Sequence, residues 1–403
     1  MSGKRDVPVH SGVPLTPHRS PLTWGFASAV LLAIPPLTHA LAAQAESADT
    51  NPPRYGHFHI GLTIHGNGVS FGNAPRVNGV RINAQDAGLE RVNGINLTVW
   101  RAREPLSGTV NGLQAGVLPG SQYVNGIAIG FAGVVTERRA RWITIGGLGA
   151  VSNGSLQGLG IGGLGLVANG DIQGIAIGGL GAVSNGAVRG VVIGGLGAVA
   201  DRDIRGIALG GLGTVANRSV TGLAIGGLGT VANGDIAGLA VSGLGTVANH
   251  NVSGAAVAGL GTVADGDLKG LGAGGLATVV NGSIAGVGVG GLAVVTNGRL
   301  TGAGIGGIAV VAGGEIRGVS IAGYRVECSR VTGLNLAGLY LKTGGLSGLS
   351  LSAYNRVRGL QTGVAIGIYN SAWELKGVQI GAVNRAKNNR APFKILPLFN
   401  IHF

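Results

Sequence analysis

Hydrophobic residues and glycines recur along this chain with a period of sixteen residues. Eleven times in succession, without a slip, a leucine or isoleucine follows a glycine. These positions are Leu148, Leu164, Leu180, Leu196, Leu212, Leu228, Leu244, Leu260, Leu276, Leu292 and Ile308. A repeat shorter than about twenty residues cannot bury a core of its own, so each copy must pack against the next. Because no copy carries an insertion, we expect every copy to pair with both neighbours in one fixed register.

Within one unit, Asp171 to Gly186, the pattern predicts two short strands and two corners. Residues 174–177 (Gly-Ile-Ala-Ile) alternate large and small side chains, which is typical of a strand with one buried face. Gly178 and Gly179 interrupt that alternation, and residues 180–183 form the second extended piece. Asn-Gly then marks a turn. Five glycines in sixteen residues exclude a helix, since each costs about 1 kcal/mol in a helix interior.

These elements predict an all-β fold, a β-solenoid of the parallel β-helix type with sixteen-residue coils. We expect Ile175, Ile177, Leu180, Val183 and their equivalents to form files of side chains that fill a narrow interior. Degenerate coils at both ends of the array are expected to act as caps.

Two polar files accompany the apolar ones. Asn or Asp recurs at positions 153, 169, 185, 201, 217, 233, 249, 265, 281 and 297. We interpret this file as a ladder whose side chains bind corner backbone groups and one another. Threonines at 214, 230, 246, 262 and 278 form a second file. An inward or lateral hydroxyl ladder is the favoured interpretation, and an exposed ice-binding face is the alternative.

An outer-membrane β-barrel is the competing architecture, with one tilted strand per repeat. Its support is the C-terminal alternation of Ile395, Phe399, Ile401 and Phe403, which resembles the terminal strand of such barrels. Residues 143–323 contain no Phe, Tyr or Trp, so a barrel would lack aromatic girdles there. The solenoid is therefore favoured.

Composition divides the chain into five parts. Residues 1–45 read as a signal peptide: Lys4 and Arg5 precede an apolar stretch, and Ala43-Gln44-Ala45 provides a small-x-small cleavage pattern. Residues 46–76 are predicted to form an N-terminal cap and 77–142 degenerate repeats. Regular repeats follow at 143–323, and degenerate basic repeats with a C-terminal cap at 324–403. The only cysteine is Cys328, so a disulfide framework within the chain is excluded.

Positive charge is concentrated at the C-terminal end. The net charge of the chain is +13; residues 143–323 carry seven basic and seven acidic side chains, whereas residues 324–403 carry ten and two. This basic part could meet an anionic surface lipid or polysaccharide. Nucleic acid is not an expected partner, because no stacking aromatics alternate with these charges in the sequence.

The C-terminal repeats carry a family resemblance. Residues 363–370 (Gly-Val-Ala-Ile-Gly-Ile-Tyr-Asn), 377–384 (Gly-Val-Gln-Ile-Gly-Ala-Val-Asn) and 396–403 (Leu-Pro-Leu-Phe-Asn-Ile-His-Phe) resemble the bacterial surface-repeat-containing family first named from leptospires. The glutamine of that family's unit is expected to face outward. The resemblance implies a cell-surface or outer-membrane protein of uncharacterised activity, and it brings no catalytic residues.

Two residue sets are candidate metal ligands. Asp171, Asp203, Asp235 and Asp267 recur every 32 residues, and calcium would be their ion. Solvated turn aspartates are the alternative interpretation. His57, His59 and His65 cluster after the predicted signal, where His57 and His59 would share one face of a strand.

We therefore expect an exported, non-enzymatic surface repeat protein that acts as a structural or adhesive element and uses no cofactor. Its lateral solenoid faces would make the contacts, with self-association as a further expectation. An outer-membrane barrel that passes or binds small solutes is the alternative.

Overall fold

A computed structural model describes residues 58–403, which form β-strands and turns and contain no helix. Within this range, accordingly, no helix has the length and hydropathy needed to cross a membrane. The predicted signal peptide at 1–45 and the first residues of the predicted N-terminal cap lie outside the described residues.

The strands fall into three groups along the chain. The N-terminal strands are β1 (His59–Ile64), β2 (Asn67–Gly72), β3 (Arg76–Asn83), β4 (Arg91–Arg101), β5 (Thr109–Leu118), β6 (Gly120–Gly130) and β7 (Gly133–Gly146). In the regular repeats, short strands alternate with longer ones. They are β8 (Gly149–Ser152), β9 (Ser155–Gly162), β10 (Gly165–Ala168), β11 (Ile172–Gly178), β12 (Gly181–Ser184), β13 (Val188–Gly194), β14 (Gly197–Ala200), β15 (Ile204–Gly210), β16 (Gly213–Ala216), β17 (Val220–Gly226), β18 (Gly229–Ala232), β19 (Ile236–Ser242), β20 (Gly245–Ala248), β21 (Val252–Ala258), β22 (Gly261–Ala264), β23 (Leu268–Gly274), β24 (Ala277–Val280), β25 (Ile284–Gly290), β26 (Ala293–Thr296), β27 (Leu300–Gly306), β28 (Ala309–Ala312) and β29 (Glu315–Ala322). The C-terminal strands are β30 (Arg325–Ala337), β31 (Tyr340–Leu351), β32 (Tyr354–Ile366), β33 (Tyr369–Ala386) and β34 (Ile395–His402).

Each sixteen-residue unit forms one coil with a long and a short strand, and the coils stack in parallel. Strand β11 pairs with β13, and β12 pairs with β14, so that every residue lies opposite the residue sixteen positions later. About 19 such coils stack, and a coil spacing of about 4.8 Å makes the array about 90 Å long. The predicted β-solenoid is confirmed. The barrel alternative is wrong, because its neighbouring strands would run antiparallel.

The interior of the coil is the reverse of the predicted one. Ile172, Ala176, Ala182 and Ser184 point inward and are fully buried. Ile175 and Leu180, predicted to be interior, are 43% and 46% exposed. Ile177 and Val183 are only half-buried. The period of two is correct, but within residues 174–183 the inner face is lined by the small residues Ala176 and Ala182, and the large residues lie on the other face.

The narrowness of the coil explains this reversal. The Leu156 position supplies one large interior side chain per coil from the long strand. A Cβ placed on Gly160, which also faces inward, would lie 2.6 Å from the Cδ1 atoms of both Leu156 and Leu166. The inward side chains at this position are therefore small in most regular coils, mainly alanine and glycine, and Val192 is the largest of them.

The side chains of both predicted polar files form hydrogen bonds within the coil stack. At the Asn-Gly corner, Asn185 Nδ2 donates to Asn169 Oδ1 at 2.9 Å, and Asn233 Nδ2 to Asn217 Oδ1 at 3.3 Å, so the ladder is confirmed. All five threonines are buried, and Thr214 Oγ1 donates to the carbonyl of Ile225 at 2.9 Å. The inward hydroxyl file is confirmed, and an ice-binding threonine face is excluded.

Both ends of the described array turn back on themselves. Strand β1 pairs antiparallel with β2, and β34 pairs antiparallel with β33, whereas the pairs between them are parallel. The interior also becomes polar towards the ends. Arg81 is fully buried and hydrogen-bonds Asp86 and Asn96. Gln379, expected to face outward by the family resemblance, is buried and donates to Gln361 Oε1 at 2.9 Å.

Candidate binding surfaces

The two corners of the regular coil have opposite chemical character. The first corner follows the long strand and presents the leucine or isoleucine that follows a glycine in every regular repeat. Leu180 N–H donates to the carbonyl of Leu164 at 2.6 Å, so these leucines lie directly over one another. We call this file the leucine edge. It consists of Leu148, Leu164, Leu180, Leu196, Leu212, Leu228, Leu244, Leu260, Leu276, Leu292 and Ile308.

Ten of these eleven side chains are 44–58% exposed, and Leu244 is half-buried. Ten coil spacings of about 4.8 Å make the edge about 50 Å long. Tyr324 and Leu339 extend it into the C-terminal coils, because their backbone N–H groups bind the carbonyls of Ile308 and Tyr324. The first corner is therefore a continuous apolar stripe.

The second corner carries the asparagine ladder and the four aspartates predicted as calcium ligands. Asp171 Oδ1 accepts the Ala187 N–H at 2.9 Å, and Asp235 Oδ1 accepts the Asn251 N–H at 2.9 Å. Asp203 and Asp267 accept the N–H groups of Ser219 and Ser283 in the same way. Each aspartate thus caps the backbone of the next coil.

The structure does not gather these aspartates into one site. They lie two coils apart, about 9.6 Å, with Ala187, Ser219 or Asn251 between them. The Asp171 carboxylate also lies within 4.0 Å of the Arg189 and Arg202 guanidinium groups. Across residues 58–403, no three His, Cys, Asp or Glu side chains come close enough to hold a metal ion.

The predicted histidine cluster is only partly described. His57 lies outside the described residues. His59 begins β1 and His65 follows its last residue, so the six residues of β1 separate them by about 20 Å. Those two side chains do not share a metal ion.

A groove over the last coils was not predicted. Strands β31, β32 and β33 begin with Tyr340, Tyr354 and Tyr369, which pair in register and form a file of three aromatic rings. The ring centroids of Tyr354 and Tyr369 are 6.4 Å apart at an interplanar angle of 38°. Beside them lies Trp373, which is 58% exposed. The groove has a volume of about 350 Å³.

Four exposed cations line the same groove: Arg356, Arg358, Arg385 and Lys387. Lys387 Nζ lies 3.9 Å from the ring centroid of Trp373, which is a cation–π contact. No carboxylate lines the groove, and none of the four cations forms an ion pair with a described residue. We call this set of aromatic and basic residues the aromatic-basic groove.

Glu327, an acid near the groove, forms its ion pairs with residues outside the groove. Glu327 accepts a hydrogen bond from Lys342, and its carboxylate lies 3.1 Å from Arg325. The bond from Lys342 outweighs partial burial and, with the charges of Lys342, Arg325 and Arg358, holds the pKa of Glu327 below its usual value. Glu327 therefore stays ionised, and its carboxylate forms ion pairs with Lys342 and Arg325 rather than with a groove cation.

The sequence did contain a weak signal for this groove. Tyr340, Tyr354 and Tyr369 are spaced by 14 and 15 residues, close to the coil length. The cations and the aromatics are not adjacent in sequence, however, and only stacking brings Lys387 over Trp373.

No family model, curated protein or solved structure matches this chain. The resemblance to the leptospiral-type surface-repeat family therefore stays a prediction, based on the residues that suggested it.

Proposed function

We propose that the protein is a non-enzymatic, exported rod at the bacterial cell surface, where it acts as a structural and adhesive element through its lateral faces. The leucine edge carries this proposal. Soluble proteins rarely leave contiguous apolar surface in water, and such surface marks places where another molecule binds. On this protein the exposed apolar surface recurs in coil after coil, whereas the opposite corner is polar.

The rigidity of the stack supports the same function. Each coil is hydrogen-bonded along both strands to both neighbours, so the leucines stay in one straight file. The regular coils are filled with side chains, as the crowding around Gly160 shows, and leave no interior space for a substrate. Contacts with other molecules therefore fall on the outer surface.

Export and surface display can be tested on intact cells. A tagged full chain is expressed in a Gram-negative bacterium, and antibody labelling is compared before and after permeabilisation. We expect intact cells to be labelled and the protein to stay with washed cells. Labelling that requires permeabilisation would contradict surface display.

The adhesive role of the leucine edge needs a matched pair of variants. The first replaces Leu180, Leu196 and Leu212 with Gln, and the control replaces Arg189, Arg205 and Thr221 with Gln on the long-strand face. Both sets are exposed, so both variants should fold and be exported. We expect the leucine variant alone to be released into the medium on washing. Equal retention of both variants would refute the role of the edge.

A further inference from the structure

The aromatic-basic groove has the features of a binding site. It is concave, it combines ring faces with cations, and none of these cations forms an ion pair with a described residue. Unpaired guanidinium groups placed together repel one another, so an anion is the natural occupant of such a site. The rings indicate that this anion is attached to a flat or ring-shaped body.

We propose that this groove binds an acidic polysaccharide segment, with sugar rings packed against Tyr354, Tyr369 and Trp373. The carboxylate or sulfate groups of the sugar would be bound by Arg356, Arg358 and Arg385. Arginine suits this role because its planar fork donates two parallel hydrogen bonds to one carboxylate or sulfate. Lys387 lies over the Trp373 ring, 3.9 Å from its centroid, and helps to hold the indole in place.

The dimensions favour a short run of sugars over the other polyanions. The tyrosine file spans three coils, about 10 Å, and repeats at about 4.8 Å. That length accommodates about two pyranose rings, whereas nonspecific single-strand sites take at least about four nucleotides. A bilayer presents a flat surface, which fits a concave groove less well than a short sugar chain does. This inference does not depend on the leucine edge, so the two can fail separately.

Calorimetric titration of the purified full chain tests the proposal. The probes are a tetragalacturonate, which carries carboxylates, and a heparin tetrasaccharide, which carries sulfates. Methyl-esterified tetragalacturonate controls for charge. An octamer of deoxythymidylate and vesicles of phosphatidylglycerol represent nucleic acid and lipid. We expect at least one acidic tetrasaccharide to bind, and the neutral ester, the octamer and the vesicles to bind at least about tenfold more weakly.

Variants locate the binding within the groove. R356Q/R358Q and, separately, W373A should each weaken binding about tenfold or more. The control R218Q/K269Q removes the same charge from exposed positions in the regular coils, and W100A removes another exposed indole; neither should change the affinity. The proposal is overturned if neither acidic tetrasaccharide binds or if both groove variants bind as the unaltered chain does. Preference for the octamer, the vesicles or the neutral ester would overturn it as well.

Discussion

Trp142 and Gly158 occupy the same position in adjacent coils, and both have positive φ, 78° and 111°. In the other coils from Gly79 to Gly377 this position is glycine, because a Cβ there would collide with the carbonyl of the preceding coil. Trp142 therefore holds an L side chain in a conformation that normally costs about 1–3 kcal/mol. Its indole is 71% exposed, so burial of the ring offsets little of that strain energy.

Replacing Trp142 with Gly should raise the free energy of unfolding by about 1 kcal/mol, because relief of strain exceeds the added flexibility of the unfolded chain. Urea denaturation followed by circular dichroism measures this. Gly174→Ala, at the equivalent position, should have the opposite effect, since φ is 128° and a Cβ would meet the Gly158 carbonyl. A loss of stability in both variants would show that Trp142 makes a contact worth more than its strain.

Sequence patterns were sufficient to predict the coil, but not which residues line its inner face. The period, the Asn-Gly corner and the ladders follow from spacing, because equal spacing in a stack places like residues over one another. Which face is buried depends on the distance between the two walls. The usual rule that large apolar residues lie inside fails for Ile175 and Leu180, since the narrow interior of their coil is already filled by side chains such as Ile172 and Ala176.

A pair of isoleucines in β11 tests this interior directly. Ile172→Ala should lower the free energy of unfolding by about 3 kcal/mol, because Ile172 is fully buried and a cavity would remain. Ile175→Ala, three residues later, should cost less than about 1 kcal/mol, because that side chain is 43% exposed. Urea titration of both variants under one condition checks the difference. An equal loss of stability in the two variants, or a larger loss for Ile175→Ala, would support the interior predicted from the sequence.

The aromatic-basic groove could not be predicted from the sequence, for a different reason. Its residues come from four successive coils whose lengths depart from sixteen, with register shifts between Thr343 and Leu346 and between Val357 and Leu360. A fixed period cannot pair residues across such shifts. The excess of basic residues in 324–403 and the spacing of the three tyrosines were visible in the sequence, but the placement of Lys387 over Trp373 was not.

The asparagine ladder lacks one hydrogen bond at Asn249, and a single substitution should supply it. Asn249 Oδ1 is buried without a hydrogen-bond donor, and Asp265, the next residue of the ladder, has no side-chain N–H that could donate to it. Asp265→Asn supplies that donor and still accepts from Asn281, whose Nδ2 lies 2.9 Å from Asp265 Oδ1. We expect a gain in unfolding free energy of about 1 kcal/mol. The reciprocal variant Asn281→Asp should lose stability, because two carboxylates would then face each other.

Thermal denaturation of both ladder variants at neutral pH checks the pair. If Asp265→Asn left the midpoint unchanged, water would already satisfy Asn249. A destabilised Asp265→Asn variant would mean that the carboxylate has a favourable role at this corner.

The thiol of Cys328 should be almost unreactive in the folded protein. Burial raises the pKa of Cys328 to about 11 from an ordinary value of 9.0, and a 3.6 Å hydrogen bond to Thr343 Oγ1 acts weakly in the opposite direction. At pH 8 a shift of that size lowers the thiolate fraction about a hundredfold. An aromatic disulfide reagent should therefore label the unfolded chain rapidly and the native chain at least about a hundred times more slowly.

The same shift predicts a loss of stability in alkali. Because the folded pKa lies above the unfolded one, the stabilisation is complete below about pH 9 and disappears as the pH rises from about 9 to about 11. The loss from this one group is at most about 3 kcal/mol. Cys328→Ala should flatten the fall in unfolding free energy between pH 8.5 and 10.5, which urea titrations at several pH values would measure. An equally steep fall in the variant, or rapid labelling of the native thiol, would place Cys328 in a more accessible and more polar setting than the interior of β30.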